Sequence, residues 1–173
     1  MNLFRLFLVT SCAATLVACG AKEAPRASAA QITKIALSDV PESVTNLVST
    51  TQPDFEMTEV IKKLRDGRVY YDVEGELPSG DEIEFDVLMT KSGPEIVEIQ
   101  RDLIWSDVPQ NARDVVDNAN TDNLGIARII ESFQPADGSI IYEVFVANHP
   151  SDPKFEVRVK DGAAKLLPSR WKH

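Results

Sequence analysis

Two stretches of the chain share one pattern of apolar residues and begin with the same four residues. Ser38-Asp39-Val40-Pro41 returns as Ser106-Asp107-Val108-Pro109. Apolar residues follow each copy at i, i+4, i+7 and i+8, which is the one-sided spacing of an amphipathic helix. Each tetrapeptide therefore predicts a helix start, with Ser or Asp as the N-cap and Pro in the first turn. The apolar positions are Val40, Val44, Leu47 and Val48 in the first copy and Val108, Ala112, Val115 and Val116 in the second.

The segment after the first predicted helix alternates apolar and polar residues with a period of two, as half-buried strands do. A strand is predicted over residues 55–64, and Asp66-Gly67 then forms a tight hairpin turn, because Gly accepts a positive φ. Alternation continues over residues 69–73 and 83–89, and a fourth strand is predicted at 96–100. The first half of the chain is thus one helix followed by four antiparallel strands.

The second half repeats this order, with strands predicted over residues 124–133, 140–146 and 155–159 and around 165–167. Asp137-Gly138 repeats the Asp-Gly turn, and Tyr71-Asp72-Val73 aligns with Tyr142-Glu143-Val144. The sequence therefore predicts an α+β fold of two tandem units, residues 34–103 and 104–173. Each unit has a helix and a four-stranded antiparallel sheet, and the two sheets could join into one continuous eight-stranded sheet with the helices on one face.

The sheet face opposite the helices also carries apolar residues, namely Tyr70, Leu88, Ile141 and Phe145. Apolar side chains on a face that should be wet need a cover or a partner. One explanation is that the two halves, or the terminal segment with Trp171, cover them. The other is a protein-binding face with aromatic anchors and a charged rim. We take these four as candidate protein-binding residues. Because the face should be solvated, Tyr70→Ala is expected to cost less than about 1 kcal/mol of stability.

Residues 1–18 have the pattern of a secretory signal, with Arg5 ahead of an apolar run. Leu16-Val17-Ala18-Cys19 resembles the lipobox of bacterial lipoproteins. This resemblance implies that Cys19 becomes the first mature residue, with a diacylglycerol thioether and an acylated amino group. The earlier Val9-Thr10-Ser11-Cys12 matches less well, because the apolar run before it is short. The alternative is an ordinary secreted protein that is cut near Ala18 or among the later alanines.

Residues 19–33 are predicted to be the lipidated Cys and a flexible tether, because residues 20–30 are rich in Ala and show no apolar period. Gly20 stands where the related sorting rule places Asp for retention at the inner membrane, so the resemblance implies an outer-membrane lipoprotein facing the periplasm. Cys12 and Cys19 are the chain's two cysteines, and neither belongs to the predicted folded domain. We therefore expect a domain that is stable through packing, without a disulfide.

Acidic residues outnumber basic ones, with 27 Asp and Glu against 18 Lys and Arg and a formal net charge of −9. Loss of Arg5 with the leader makes the mature chain one charge more negative. Such a surface repels nucleic acid, so we expect no nucleic-acid partner. The charge is consistent with plain solubility and also with attraction to a basic partner.

No residue pattern predicts catalysis, a cofactor or a metal site. His149 and His173 have no ligand partner at metal-binding spacing. Asn118, Asn120 and Asp122 alternate as calcium-loop ligands do, but the Gly and the Glu that such a loop needs are missing. The chain also has no nucleophile elbow, no phosphate-binding loop and no dinucleotide fingerprint. We therefore expect a protein that is not an enzyme.

Carboxylates do cluster on two of the predicted strands. Paired carboxylates perform acid–base chemistry when their environments separate their pKa values, usually through burial. These acids lie on the polar phase of strands that should be exposed, and we therefore predict solvated charges. The residues are Asp72, Glu74, Glu82, Glu84 and Asp86.

A helix opened by Val-Pro and a four-stranded meander with Tyr-Asp/Glu-Val on its second strand resemble the PepSY-like domains of bacterial envelope proteins. A tandem pair resembles the fold of the β-lactamase inhibitory proteins, and the likeness covers residues 34–171. Those inhibitors have two helices per unit and disulfides, which this sequence does not predict, so β-lactamase inhibition is not carried over. The resemblance implies non-enzymatic binding in the envelope.

The sequence therefore predicts a lipid-anchored protein of the bacterial envelope that binds an envelope protein or a peptide through the open face of its sheet. The alternative is a structural or accessory envelope lipoprotein without a discrete ligand site.

Overall fold

The structure is a computed structural model, and it describes residues 31–171. Nine strands form one open sheet, and their spatial order follows the chain from the first strand to the last. All neighbouring pairs are antiparallel, so the sheet is a continuous meander. The strands are β1 (Gln31–Ile35), β2 (Glu56–Arg65), β3 (Arg68–Glu76), β4 (Glu82–Thr90), β5 (Gly93–Leu103), β6 (Ile126–Gln134), β7 (Ser139–Val146), β8 (Phe155–Lys160) and β9 (Ala163–Leu166).

Two helices interrupt the meander. Helix α1 (Glu42–Thr51) lies between β1 and β2, and α2 (Gln110–Ala119) lies between β5 and β6. The predicted α+β fold is confirmed, and the sheets of the two halves join into one, which the sequence had left open. Neither helix is long and apolar enough to cross a membrane, a finding that applies to residues 31–171.

The helices do not begin where the repeated tetrapeptides were predicted to cap them. Ser-Asp of each copy belongs to a short 3-10 helix, Leu37–Asp39 or Trp105–Asp107, and the N-caps are Pro41 and Pro109. The reason is that a residue before proline is driven into extended backbone, as at Val40 with φ −69° and ψ 130°. An α-helix cannot run through that residue, so the N-cap prediction is wrong by about three residues.

The sheet has one strand more than predicted. Residues 31–33, which we assigned to the tether, belong to β1 and pair with the end of β2. All residues of β1 but the last are exposed, so this edge strand has no apolar alternation by which a sequence pattern could reveal it.

Each helix covers its own apolar cluster. Val44 and Val48 of α1 lie against a set on β2 to β4: Val60, Tyr71, Val73, Phe85 and Val87. Ala112 and Val116 of α2 lie against a set on β6 to β8: Ile129, Tyr142, Val144, Phe155 and Val157. The predicted positions of Tyr71 and Tyr142 beneath the helices are therefore confirmed.

Strand β5 contributes side chains to both apolar clusters. Its Ile99 packs against the first cluster and its Leu103 packs against the second. Residues four apart on a strand share a face, so both helices lie on the same side of the sheet.

Asp66-Gly67 makes the tight hairpin turn that the sequence predicts, and Asp161-Gly162, between β8 and β9, makes the same turn. Asp66 and Gly67 have φ of 51° and 76°, and Asp161 and Gly162 have φ of 51° and 78°. Positive φ at both central residues gives the turn whose twist matches that of the flanking strands. At the remaining pair Gly138 alone has a positive φ, of 69°, and its N–H bonds to the Gln134 carbonyl across a longer loop.

The backbone of Gly75 on β3 lies very close to the backbone of Glu56 on β2 and to the ring of Phe55. A Cβ at this position would lie 2.2 Å from the Glu56 carbonyl oxygen and 2.5 Å from Cζ of Phe55. The Phe55 ring is itself fixed edge-on against Phe85, with the ring centroids 5.1 Å apart. A side chain at Gly75 would therefore displace either a strand or this aromatic pair.

We expect Gly75→Ala to lower the free energy of unfolding by about 1–3 kcal/mol, measured by urea denaturation, because an added methyl group overfills this contact. Gly125→Ala is the matched control. A Cβ there meets nothing within 4 Å, and its φ is not positive, so a change within about 0.5 kcal/mol is expected. Equal losses in the two variants would contradict the proposed packing.

Candidate functional site

The sheet face opposite the helices, here called the helix-free face, presents polar and apolar side chains in register. On β3 it carries Tyr70, Asp72 and Glu74, because Tyr71 and Val73 point to the helices. The directly opposed residues on β4 are Leu88, Asp86 and Glu84. The same alternation continues through β5, β6 and β7 without a break in the sheet.

A hollow of about 910 Å³ lies over the middle of the helix-free face. Asp66, in the turn between β2 and β3, and Ser151, between β7 and β8, both line it. These turns belong to strands five positions apart in the sheet, so the sheet curves around the hollow. A β-bulge at Asp86 and Val87 contributes to this curvature, because a bulge increases local twist and bends the strand.

The floor of the hollow is acidic. Asp72, Asp86 and Glu98 lie directly opposite one another on β3, β4 and β5, and are 2 %, 7 % and 3 % exposed. Glu84 and Glu143 lie beside this row and are half-buried. Glu84, Asp86, Glu98 and Glu143 line the hollow, and Asp72 is buried beside Asp86 on the neighbouring strand. We call these five side chains with the space above them the acidic hollow. The prediction of solvated charges at Asp72, Glu84 and Asp86 is therefore wrong, because curvature of the sheet removes its central strands from water.

Several carboxylates of the floor have partners from neighbouring strands. The ammonium of Lys63 on β2 forms a salt bridge with Asp72 Oδ2. Glu98 accepts hydrogen bonds from the Ser132 hydroxyl and the Gln134 amide on β6. These contacts hold the carboxyl groups of Asp72 and Glu98 in place.

The chain's last described residue reaches the same floor. The Trp171 indole N–H donates to the Gln134 side-chain oxygen at 2.9 Å, and the Trp171 backbone N–H donates to Glu156 at 2.5 Å. The indole ring lies under the Arg158 guanidinium, 5.3 Å from the ring centroid. The C-terminal segment therefore forms one wall of the hollow.

Burial changes the acidity of these groups. Burial raises the pKa of Asp72 to about 7; the charge of Asp86 adds to the rise and Lys63 opposes it. Burial, then Asp86 and Asp72, raises the pKa of Glu84 to about 8. Across the hollow, burial and the charges of Glu98 and Glu156 raise the pKa of Glu143 to about 7. The floor therefore exchanges protons near neutral pH.

Arginine side chains surround the mouth of the hollow. The Arg65 guanidinium lies 4.8 Å from the centre of the Tyr70 ring. Arg128 lies 5.9 Å from the Phe145 ring and donates to both oxygens of Asp102, at 2.8–3.0 Å. The site is thus layered, with carboxyl groups below and guanidinium groups at the rim.

The four candidate protein-binding residues all lie on the helix-free face, as the register predicts. They are not exposed anchors, however: Tyr70, Ile141 and Phe145 are 3 %, 0 % and 5 % exposed, and Leu88 is half-buried. The guanidinium groups of Arg65 and Arg128 lie over the rings of Tyr70 and Phe145. Tyr70→Ala therefore removes a buried aromatic side chain, and the expected cost below 1 kcal/mol is corrected to a larger loss.

The carboxylates of Asp72, Glu84 and Asp86 come close enough to hold a cation, with oxygen atoms within 4.8 Å of one another; this is the one such group found among residues 31–171. An ammonium, that of Lys63, already contacts it. Asn120, whose spacing resembles that of a calcium loop without the Gly and Glu that such a loop needs, is the C-cap of α2 and closes a turn through its side chain and the backbone of Leu124. His149 is exposed in the connection between β7 and β8, and His173 lies outside the described residues.

No family model, no curated protein and no solved structure matches this chain.

We expect the free energy of unfolding to decrease as pH rises from about 4 to about 8, measured by urea denaturation at a series of pH values. The carboxyl groups of Asp72, Glu84 and Glu143 have folded-state pKa values above their usual ones, so the folded state holds more protons in this window. Raising the pH then favours unfolding.

Glu84→Gln should reduce this slope and increase stability near pH 8, because it removes a buried negative charge. Asp117→Asn changes an exposed acid on α2 and should leave the slope unaltered. A free energy of unfolding that increases through this pH window would contradict the prediction. An equal effect of both variants would show that the floor carboxyl groups do not cause the pH dependence of stability.

Proposed function

We propose that this chain is a non-enzymatic binding protein of the bacterial envelope, which holds a protein or peptide in the acidic hollow of its helix-free face. The observation that carries the proposal is the hollow itself, on the face that the helices leave open. Its volume of about 910 Å³ lies in the range of about 300–1,000 Å³ typical of ligand sites.

The surroundings of the hollow support a binding role. Its floor is held by cross-strand contacts such as those from Ser132 and Gln134 to Glu98. Its walls contain ring systems, Tyr70, Phe145 and Trp171, whose positions are fixed by packing or hydrogen bonds. A site that is already ordered loses little conformational entropy when a ligand binds.

We further propose that the chain consists of two related units of the PepSY-like type, over residues 34–103 and 104–173. The order of a 3-10 helix, a helix and four strands supports this, because it occurs once after β1 and again after β5. The separate apolar cluster beneath each helix also supports it, with Tyr71 and Tyr142 in corresponding places. Strand β1 stands outside this repeat.

We propose that a lipid on Cys19 anchors the protein to the outer membrane, facing the periplasm. The lipobox-like Leu16-Val17-Ala18-Cys19 supports the anchor, and Gly20 after it supports the outer membrane. Residues 1–30, including Cys19 and most of the proposed tether, lie outside the described residues. A lipid anchor of two or more acyl chains would keep the protein on the membrane.

Mass spectrometry of the mature protein is expected to find a diacylglycerol-modified, N-acylated Cys19 as the first residue. Cys19→Ala should shift the protein from the membrane fraction to the soluble fraction. The matched control is Cys12→Ala, which should leave the protein anchored because Cys12 belongs to the removed leader. An unmodified N-terminus at another residue would rule out the anchor.

Site-specific photocrosslinking in intact cells tests the binding role. A photoreactive amino acid at Ser151, which is exposed at the edge of the hollow, should give an adduct with a discrete envelope protein. The same group at Asp117, exposed on α2, is the control and should not give this adduct. No adduct from Ser151, or the same adducts from both positions, would favour a structural or accessory lipoprotein without a discrete ligand site.

A further inference from the structure

Carboxyl groups from several strands converge on one hollow. Glu84 and Asp86 come from β4, Glu98 from β5 and Glu143 from β7, and all four line it. Asp72 of β3 lies directly opposite Asp86. Carboxylates placed side by side across strands destabilise a sheet unless protons or cations compensate them. The register thus concentrates negative charge in a space large enough to admit a side chain.

One carboxylate oxygen in this cluster lacks a hydrogen-bond donor within residues 31–171. The Asp72 side chain is 3 % exposed, and its Oδ2 atom is paired with Lys63. Its Oδ1 atom is buried and accepts no hydrogen bond from the described residues, unless the Asp86 carboxyl group carries a proton that it can share. A buried acceptor without a donor costs about 1–3 kcal/mol. Asp72 does not itself line the hollow, but its carboxylate lies within 4.8 Å of those of Glu84 and Asp86, which do. A donor that binds between Glu84 and Asp86 can therefore reach Asp72 and reduce this cost.

The spacing of the oxygen atoms suits a cationic nitrogen. Oxygen atoms of Asp72, Glu84 and Asp86 lie within 4.8 Å of one another. A nitrogen at the usual N⁺–H···O⁻ distance of about 2.8 Å can reach two of these groups at once, because twice that distance exceeds their separation. An ammonium with three donors, or a planar guanidinium with five, can satisfy several carboxylates together.

The arginine residues at the rim indicate what kind of ligand the cationic nitrogen belongs to. Guanidinium groups of Arg65, Arg68, Arg128 and Arg170 line the mouth of the hollow. These groups repel any cation, and a bare metal ion offers them no hydrogen-bond acceptor in return. A peptide offers backbone carbonyl oxygens, which these groups can bind while a basic side chain enters the floor. The opposite charges of floor and rim therefore fit a basic residue on a peptide better than an isolated ion.

The aromatic walls do not offer an alternative anchor. Tyr70 and Phe145 already lie under the chain's own Arg65 and Arg128, and Trp171 lies under Arg158. A partner that relied on aromatic stacking would have to displace these guanidinium groups. Charge complementarity at the floor is thus the available source of specificity.

We propose that the acidic hollow binds a Lys or Arg side chain presented by an extended segment of a partner protein. The bound ammonium or guanidinium group lies between the carboxylates of Asp72, Glu84 and Asp86, and the rim arginines contact the backbone of the segment. This inference rests on the proposed binding function and names the chemical class of its partner.

Proton release should accompany this binding. Glu84 and Glu143 have pKa values raised to about 8 and about 7, and an arriving cation favours their charged forms. The charged and titratable groups that face them are Lys63 from β2, Asp72 and Glu74 from β3, Asp86 from β4, Glu98 from β5, Arg128 from β6, Glu156 from β8 and Arg170. Affinity should therefore increase between pH 6 and pH 8.

Fluorescence anisotropy with defined peptides tests the inference on the purified full-length lipoprotein in detergent. The probe is a fluorescein-labelled peptide with one central Lys in an uncharged, extended background. Two matched peptides replace that Lys by Gln or Glu. We expect the Lys peptide to bind at least about tenfold more tightly than the Gln peptide, and the Glu peptide to bind more weakly still.

Glu84→Gln and Glu143→Gln should each weaken binding of the Lys peptide by about tenfold and reduce its pH dependence. Both replacements keep the side-chain shape, and circular dichroism checks that the variants remain folded. Asp117→Asn, which removes one exposed charge from α2, should leave the affinity unchanged.

Equal affinities for the Lys and Gln peptides would overturn the inference. So would equal losses in Glu84→Gln and Asp117→Asn, because the attraction would then reflect net charge. Calorimetric binding of calcium without discrimination between the peptides would assign the floor to a metal ion instead. A partner crosslinked at Ser151 together with failure of the Lys peptide would retain the binding function and reject this ligand class, whereas failure of both experiments would reject both.

Discussion

The structure depends on an antiparallel register that continues across its nine strands, with β-bulges in three of the strand pairs. Successive side chains on a strand point to opposite faces, so one register decides for every residue whether it faces the helices or the hollow. Tyr71 and Val73 pack beneath α1 for the same reason that Tyr70 and Asp72 line the other side. A slip of one residue would exchange the apolar clusters with the acidic floor.

This register gives the protein two buried faces of different chemistry. The helix side is closed by ordinary apolar packing, with Val44, Val60 and Val87 almost completely buried. The other side is curved, so its central strands also lose contact with water, although their side chains include Asp72, Asp86 and Glu98. Buried polar groups need partners, and Lys63, Ser132 and Gln134 supply several of them from adjacent strands. The stability of the sheet and the charge of the hollow are therefore coupled.

The unfavourable burial of carboxyl groups in the acidic hollow is an argument for a binding role. A carboxyl group with a raised pKa is a sign of unfavourable burial, and such burial persists most often where it serves binding or chemistry. At Glu84 and Glu143 the free-energy cost of ionising a buried carboxyl group arises near neutral pH, and a bound cation would reduce it. The Trp171 segment, hydrogen-bonded to Gln134 and Glu156, completes the wall and links the end of the chain to this site.

The sequence by itself determined the helices, the succession of strands from β2 onward and the faces of the alternating residues, because periods of 3.6 and 2 are local properties of the chain. Tyr71, Tyr142 and Tyr70 were each placed on the correct side in this way. The sequence left open whether β5 pairs with β6, which the structure shows. It did not reveal β1, whose exposed edge leaves no apolar alternation. Nor did it place the N-caps, because the extended residue before Pro41 separates the Ser-Asp pair from the helix.

Only the tertiary structure decided whether the helix-free face is wet. Asp72, Asp86 and Tyr70 have the alternation of solvent-facing residues, yet each is buried. Burial here results from curvature of the whole sheet, from arginine side chains of the neighbouring strands β2 and β6, and from a terminal segment that returns to Gln134. The curvature and the contact between Trp171 and Gln134 involve parts of the chain that are far apart in sequence, and no local pattern encodes them.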